Sequence, residues 1–316
     1  MNSVSTSSVS ERNPYSGEKR ALVLLNPEAG QGRARKIAGT LPRTAEDLGW
    51  QVEQRQTRES GHEVEIAAEA AEAGWPVVIA VGGDGTVHGA VNGLLSSGAT
   101  ETVLAHVPVG TGNDLANTVG LNKRSSPEQN LRRILGGEIR QFDVGRALGE
   151  YFANSTGLGF AAETAKNLVK YKKLGGFTSY VVAVYQTFFS YKAPELSVRA
   201  AGYSEQGRIL MVEAMLGKTT GGGFTLSPSA DPCDGKLDIC LIREVSTLTF
   251  LRYVPKVIRG THVGLPPVQV FKANRVEVQC IAGPPIVHLD GELRHADSDT
   301  LVVEIRPGML PMLCAV

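Results

Sequence analysis

The chain has 316 residues, enough to bury one large core or two smaller ones, and two are expected. Lys and Arg number 32 and Asp and Glu number 32, a formal net charge of zero, which argues against a nucleic-acid partner and makes any charge effect a local one. Cys233, Cys240, Cys280 and Cys314 form no C-x-x-C pair and no histidine stands at zinc spacing from them, so the expectation is reduced thiols in a cytoplasmic protein rather than a metal knuckle or a disulfide framework.

Residues 1–18 are rich in Ser, Asn, Glu and Pro and carry no apolar segment, so they read as a disordered tail. From Arg20 onward an apolar run, a loop and a helical pattern alternate four times. The first unit is residues 21–25, the loop Asn26-Pro27-Glu28-Ala29-Gly30-Gln31-Gly32, and a helix burying Ala34, Ile37, Ala38 and Leu41. The second is an edge strand over 50–57 anchored by Val52, followed by a helix over 61–73. In the third, Val77-Val78-Ile79-Ala80-Val81 leads into Gly82-Gly83-Asp84-Gly85 and a helix with Val87, Ala90, Val91 and Leu94 on one face. The fourth is 103–107, then Pro108-Val109-Gly110-Thr111-Gly112-Asn113, then a helix from Asp114. Such alternation predicts an α/β domain over 19–141, a parallel sheet with flanking helices.

Three of the four loops are glycine-rich, and all leave the carboxyl ends of strands, where open α/β sheets bind ligands. They are expected to meet around one nucleotide. Gly82, Gly83 and Gly85 let a ligand approach the backbone, and the first amides of the following helix point outward with partial positive charge, which suits phosphate. A carboxylate at Asp84 would repel phosphate unless it acts through a divalent cation or accepts a proton from a second substrate. That places it in phosphoryl-transfer chemistry.

After a helix over 127–135 the period changes near Phe142. Apolar or alternating runs at 142–146, 151–154, 196–200, 209–216, 237–242, 268–271, 276–280, 286–289 and 301–305 predict a β-rich domain over 142–316, whose last residues are free to pack back on the first domain. A helical insertion over 161–191 interrupts it, and a second helix covers 247–258. The stripe Tyr180, Val181, Val184, Tyr185, Phe188 and Phe189 reads first as core packing, with an acyl-chain slot as the alternative. The apolar stretch 177–189 is too short and too polar for a membrane span.

Five motifs in this order carry a resemblance: Asn26-Pro27 with Gly30 and Gly32; Gly82-Gly83-Asp84-Gly85-Thr86 followed by Pro108-Val109-Gly110-Thr111-Gly112-Asn113-Asp114; Asn154-Ser155-Thr156-Gly157-Leu158-Gly159-Phe160; Asp231-Pro232-Cys233-Asp234-Gly235-Lys236; and Leu289-Asp290-Gly291-Glu292. From about residue 21 to the C-terminus the chain resembles the catalytic domain of diacylglycerol kinases, sphingosine kinases and related bacterial lipid kinases. The resemblance implies an α/β nucleotide-binding domain, a β-rich C-terminal domain packed on it, and an active site in the interdomain cleft where ATP lies. It implies transfer of the γ-phosphoryl group to a diacylglycerol or sphingoid hydroxyl at a membrane surface, and it leaves a homodimer open. It assigns Asn26, Thr57, Gly82, Gly83, Asp84, Gly85, Thr86, Val87, His88 and Thr111 to the nucleotide and Glu292 to proton acceptance. Asp84 would position the Mg²⁺ that bridges the phosphates, or the acceptor hydroxyl. A structural magnesium would take the Asp234 carboxylate and the backbone carbonyls of Asp231 and Lys236.

One departure stands out. Most relatives carry Asn-Glu where this chain has His88-Gly89. The rivals are a small-molecule kinase like the NAD kinases, disfavoured by the later Asp-Gly and Asp-Gly-Glu motifs, and a nucleotide-binding regulator weakened in catalysis. A Rossmann dehydrogenase is weaker still, because the G-x-G-x-x-G spacing is missing.

Overall fold

In the computed structural model, residues 15–98, 101–174 and 176–315 are described, so most of the expected tail over 1–18 lies outside the described residues. The apolar runs of the first half form strands β1 (Arg20–Leu25), β2 (Gln51–Gln56), β3 (Val77–Gly82) and β4 (Val103–Pro108). They pair in parallel in the order β4-β3-β1-β2. Every residue of β3 and β4 is buried, because helices cover both faces, whereas β2 at the edge is half exposed. The helices are α1 (Ala29–Ile37), α2 (Thr40–Glu46), α3 (His62–Glu72), α4 (Asp84–Ser96), α5 (Asp114–Thr118) and α6 (Pro127–Leu135). α6 opens on a capping box in which the Ser126 hydroxyl accepts from the Gln129 amide and the Gln129 side chain accepts from the Ser126 amide.

The second half contributes β5 (Glu138–Ala147), β6 (Glu150–Phe152), β7 (Ser155–Gly159), β8 (Glu195–Ala200), β9 (Tyr203–Met215), β10 (Leu237–Arg243), β11 (Val268–Ala273), β12 (Arg275–Cys280), β13 (Ile286–Leu289), β14 (Glu292–His295) and β15 (Thr300–Cys314). The expected helical insertion is two helices, α7 (Phe160–Leu168) and α8 (Gly176–Ser190), and α9 spans Thr247–Ile258 as the sequence predicts. These three helices pack on β9 and β10 through a separate apolar cluster in which Phe188 stacks on Phe250 at 3.6 Å.

β15 links the two halves. Its first part pairs antiparallel with β12, and beyond a shift of register between Arg306 and Leu310 it reaches β4, with Met312 opposite Leu104. β5 runs antiparallel to it from Glu304 to Arg306 and again from Leu310 to Cys314. A division at residue 142 therefore falls inside β5, and Phe142, Val144, Leu310 and Met312 belong to the core of the parallel sheet. Two strands escaped the sequence reading. β7 is Ser-Thr-Gly-Leu-Gly and β14 is Glu-Leu-Arg-His, and neither has the apolar alternation that announces a strand.

The glycine loops converge as expected. Gly30 takes φ +62 and lies so close to the Val109 carbonyl that a side chain has no room, and Arg33 donates to that carbonyl at 2.9 Å. Gly83 and Gly110 touch backbone to backbone. Gly110→Ala would press a methyl group into the Gly83 backbone, and we expect it to cost about 1–3 kcal/mol, read as a lower urea midpoint with unchanged m.

Candidate active site

The site is built where the loop after β3 meets the loop after β4. Gly83 precedes α4 in an extended conformation, so the first amides of this 13-residue helix face outward without intrahelical partners. Asn26 supports the turn, donating from Nδ2 to Thr86 Oγ1 at 3.2 Å while its Oδ1 accepts from the Glu28 amide at 3.0 Å. Thr86 is buried beneath Gly82. Asn26, Gly82, Gly83, Asp84, Gly85, Thr86 and Val87 thus form one structural unit. Thr111 is exposed on the neighbouring loop, and Thr57 is buried at the end of β2, its amide bonded to the Leu25 carbonyl.

Asp84 ties the two loops together. Its Oδ2 accepts from the Asn113 amide and its Oδ1 from the Asp114 amide, both at 2.7 Å. Burial, then the charge of Asp114, pushes its carboxyl up to about 7 against the pull of those two amides. Asp114 in turn accepts from the Gly222 amide at 2.8 Å and lies 3.5 Å from the Lys123 ammonium, which also donates to the Gly112 carbonyl at 2.6 Å. The Tyr180 hydroxyl near Asp84 is kept protonated by burial and by the surrounding charges of Asp84, Asp114 and Glu292.

The turn between β13 and β14 closes over this floor. A Cβ on Gly85 would stand only 2.5 Å from Glu292 Oε1, so the Glu292 carboxylate rests directly on the first turn of α4. It makes no hydrogen bond among the described residues. Asp290 takes φ +50, unusual for a residue other than glycine. Its carboxylate accepts from the amides of Ala153, Asn154 and Ser155 at 3.1, 2.8 and 3.0 Å, which holds that backbone in place. Beneath the turn, His288 Nδ1 lies 3.4 Å from the Gly291 amide and Nε2 lies 2.8 Å from buried Glu213.

The His88 side chain is committed away from the glycine loop. Nδ1 is 3.1 Å from Asp290 Oδ2 and Nε2 is 3.1 Å from Glu150 Oε2, while Glu150 is held in a two-point pair with Arg294 at 2.7 and 2.9 Å. Burial alone would depress the imidazole, but the hydrogen bonds and charges of Asp290 and Glu150 win and push it up to about 9. Glu150 is correspondingly held down at about 2 by His88 and Arg294. What remains of His88 for a nucleotide is its backbone.

An apolar cavity of about 140 Å³ opens onto the same place. Phe160, Val184, Met211, Phe224, Phe250 and Val268 line its depth, and Asp84, Asp114, Asp290 and Gly291 border its polar end. The aromatic stripe of α8 is therefore both core packing and cavity wall.

Asp231, Asp234 and Lys236 form a separate cluster. Asp234 Oδ1 accepts from the Lys236 amide at 3.0 Å and Oδ2 pairs with the Lys272 ammonium at 2.7 Å. Lys272 also reaches the buried Asp238 at 2.6 Å. Asp231 Oδ1 accepts from the Cys233 amide at 3.1 Å and lies 3.5 Å from Arg140. No group of three or more His, Cys, Asp or Glu able to hold a metal occurs among the described residues. In this arrangement the turn does not fit a magnesium ion, because Asp234, the carboxylate that the resemblance gives to the metal, already carries the Lys272 ammonium and Asp231 lies against Arg140.

Asp114, Lys123, Glu150 and Asp290 are not singled out from the sequence as site residues, and Tyr180 enters there only as part of the aromatic stripe with its acyl-slot alternative. Asp114 and Asp290 stood inside quoted motifs, so only their flanking glycines announced them. Lys123 and Glu150 carry no local signal, since their roles depend on contacts up to 144 positions away in the chain.

The chain is thus a glycine-loop α/β unit joined by shared strands to a β-rich half, with an acidic turn lowered onto the first turn of α4. The chain belongs to the diacylglycerol kinase catalytic domain family: residues 20–147 match that domain and residues 154–314 match the YegS C-terminal NAD kinase beta sandwich-like domain. It is 29% identical to the diacylglycerol kinase of Bacillus subtilis strain 168 over 87% of this chain and 90% of that one. It is 31% identical to a probable lipid kinase YegS-like of Pseudomonas putida over 72% of this chain and 74% of that one. A putative diacylglycerol kinase from Bacillus anthracis str. Sterne shares the fold, with a TM-score of 0.77 over 94% of this chain and 97% of that one at 23% identity. No helix among the described residues is long and apolar enough to cross a membrane.

Lys272→Met would leave the buried Asp238 with its two serine partners but no cation. We expect a loss of about 1–3 kcal/mol, between the values for exposed and buried pairs, and no change in wild-type Tm when a chelator is added.

Proposed function

We propose that the protein is a lipid kinase that passes the γ-phosphoryl group of ATP to the hydroxyl of a diacylglycerol-type lipid. The observation that carries this reading is the junction of the apolar cavity with the acidic, glycine-looped floor at Asp84, Asp290 and Gly291. A soluble acceptor such as NAD needs no such cavity, whereas an acyl chain seated there brings its hydroxyl to the polar end. The membership of the family and the names of its members support the same conclusion.

The phosphates would lie against the glycine loops and the N-terminus of α4, where backbone amides and the helix dipole favour anions. Magnesium bound with the nucleotide would neutralise phosphate charge, and Asp84, which borders the cavity, would orient it or the acceptor hydroxyl. Glu292, free of hydrogen bonds among the described residues and resting on Gly85, is placed to accept the proton of the attacking hydroxyl. Tyr180 and Lys123 supply a donor and a positive charge at the same spot. Positioning and charge neutralisation then supply most of the rate.

The test is labelled ATP offered with diacylglycerol, a sphingoid base, phosphatidylglycerol and NAD, followed by separation of the products. Label on diacylglycerol is expected; label on NAD alone would sink the lipid reading. Glu292→Gln should lower kcat by about 10²–10⁴-fold, and full turnover by that variant would remove Glu292 as the base. Narrowing the cavity with Val184→Phe should raise KM for a long-chain diacylglycerol more than for a short-chain one and leave KM for ATP unchanged, measured by initial rates at saturating partner.

A further inference from the structure

We propose that His88 is a positioning residue for phosphoryl transfer: by bridging Asp290 and Glu150, its ring holds the Asp290–Gly291–Glu292 turn down on α4 and keeps the Glu292 carboxylate over Gly85. The inference rests on the reading of Glu292 as the base. His88 sits in the second turn of α4, the helix whose first turn faces the phosphates, and its ring reaches across to the β-rich half. Asp290 is the pivot of the bridge. Its carboxylate accepts from three amides of residues 153–155 and meets His88 Nδ1 on Oδ2, while its own amide, in a residue at φ +50, donates to the Ser155 carbonyl at 2.8 Å. The Glu292 side chain makes no hydrogen bond among the described residues, so its place over Gly85 depends on the strand pairing with Leu289 and on the residues that hold the turn.

The bridge is anchored at its other end as well. Glu150, on β6, is fixed by Arg294 on β14, the strand that Glu292 opens. Asn92, one turn along α4, accepts from the Tyr151 amide at 2.8 Å and donates to the Tyr151 carbonyl at 2.9 Å, locking β6 to the same helix. The path Asp290–His88–Glu150–Arg294 thus closes a ring around the turn and ties it to the phosphate-binding helix.

The charged groups around His88 explain why a histidine suits this place. Asp290 from the turn and Glu150 from β6 are both acceptors, Arg294 balances Glu150, and from α3 Glu63 packs against the adjoining Gly89. A ring with two N–H groups satisfies both carboxylates; a neutral ring satisfies one and turns a lone pair toward the other. The folded-state pKa of about 9 lies above the ordinary value of 6.5. The stabilisation is therefore complete below about pH 6.5 and is lost as pH rises through about 9.

The full chain carrying His88→Ala or His88→Gln is assayed for kcat and both KM values, alone and combined with Glu292→Gln, across pH. His88→Ala should lower kcat about tenfold with KM for ATP unchanged, and in the Glu292→Gln background it should cost almost nothing, because the group it positions is gone. His88→Gln, able to reach only one carboxylate, should fall between. The wild-type kcat should decline above about pH 9 and the His88→Ala profile should lack that limb. Equal losses in both backgrounds would mean a merely structural residue, and a raised KM for ATP at constant kcat would place His88 in nucleotide binding; either overturns the proposal. Wild-type turnover by Glu292→Gln alone is a different result, because it removes the base reading itself. Should His88→Ala fail to fold, the imidazole nitrogen resonances of the wild-type protein decide: two N–H signals persisting to about pH 9 support the bridge, and a neutral ring at pH 7 overturns it.

Discussion

The loops of this molecule are held by aspartate carboxylates that accept backbone amides from distant segments. Asp84 takes the amides of Asn113 and Asp114, Asp114 that of Gly222, Asp143 those of Gly235 and Gly308, and Asp290 those of residues 153–155. A carboxylate removed from water is costly unless its oxygens are satisfied, and one aimed at several amides is satisfied with fixed geometry. Each link therefore fixes both the loop that donates and the loop that carries the acid. The series runs from the glycine turn before α4 through α5 and the Gly221–Gly223 loop, and separately from α4 through His88 to the turn bearing Glu292. Loss of one link would leave a buried charge exposed to a lower dielectric with fewer donors, which is worse than never having placed it there.

Shared strands make this possible. β5 and β15 belong to both halves, so the parallel sheet and the β-rich sheet are continuous and the two sides of the cleft are set by backbone hydrogen bonds. Asp143 sits at the crossing, fastening the bend of β15 at Gly308 to the turn that precedes β10. The same crossing explains why a sequence-based boundary at residue 142 divides a strand. Composition changes there, from alternating strand and helix to strands alone, but the chain has already entered the shared strand at Glu138.

Periodicity carried most of the architecture. The buried runs of β1, β3 and β4, the helices α6 and α9, and the glycine loops follow from residue order because each is a local pattern. What could not be read locally is what depends on distant partners. Lys272 has no motif, yet it occupies the carboxylate of Asp234 that the resemblance reserves for magnesium. His88 stood out only as a departure from the usual residue, and its neighbours Asp290 and Glu150 lie 202 and 62 positions away. The aromatic stripe of α8 illustrates a different limit. A pattern of apolar residues says that a face is buried but not whether its neighbours close completely against it, and in this fold Phe160, Val184 and Phe250 leave a cavity.

That cavity and the acidic floor impose opposite demands on one small region. Apolar walls raise the cost of ionising Asp84, while Asp114 beside it adds repulsion, so the group is left near neutrality's edge at about 7. Lys123 and the two amides offset part of that cost. Chemistry that joins a polyanionic donor to an apolar acceptor needs this conjunction: water is excluded by the walls, and the charge that the reaction gathers is met by groups already fixed in place. The aspartate links keep the two environments adjacent, because amides held by carboxylates cannot drift to let the apolar walls close over the polar end.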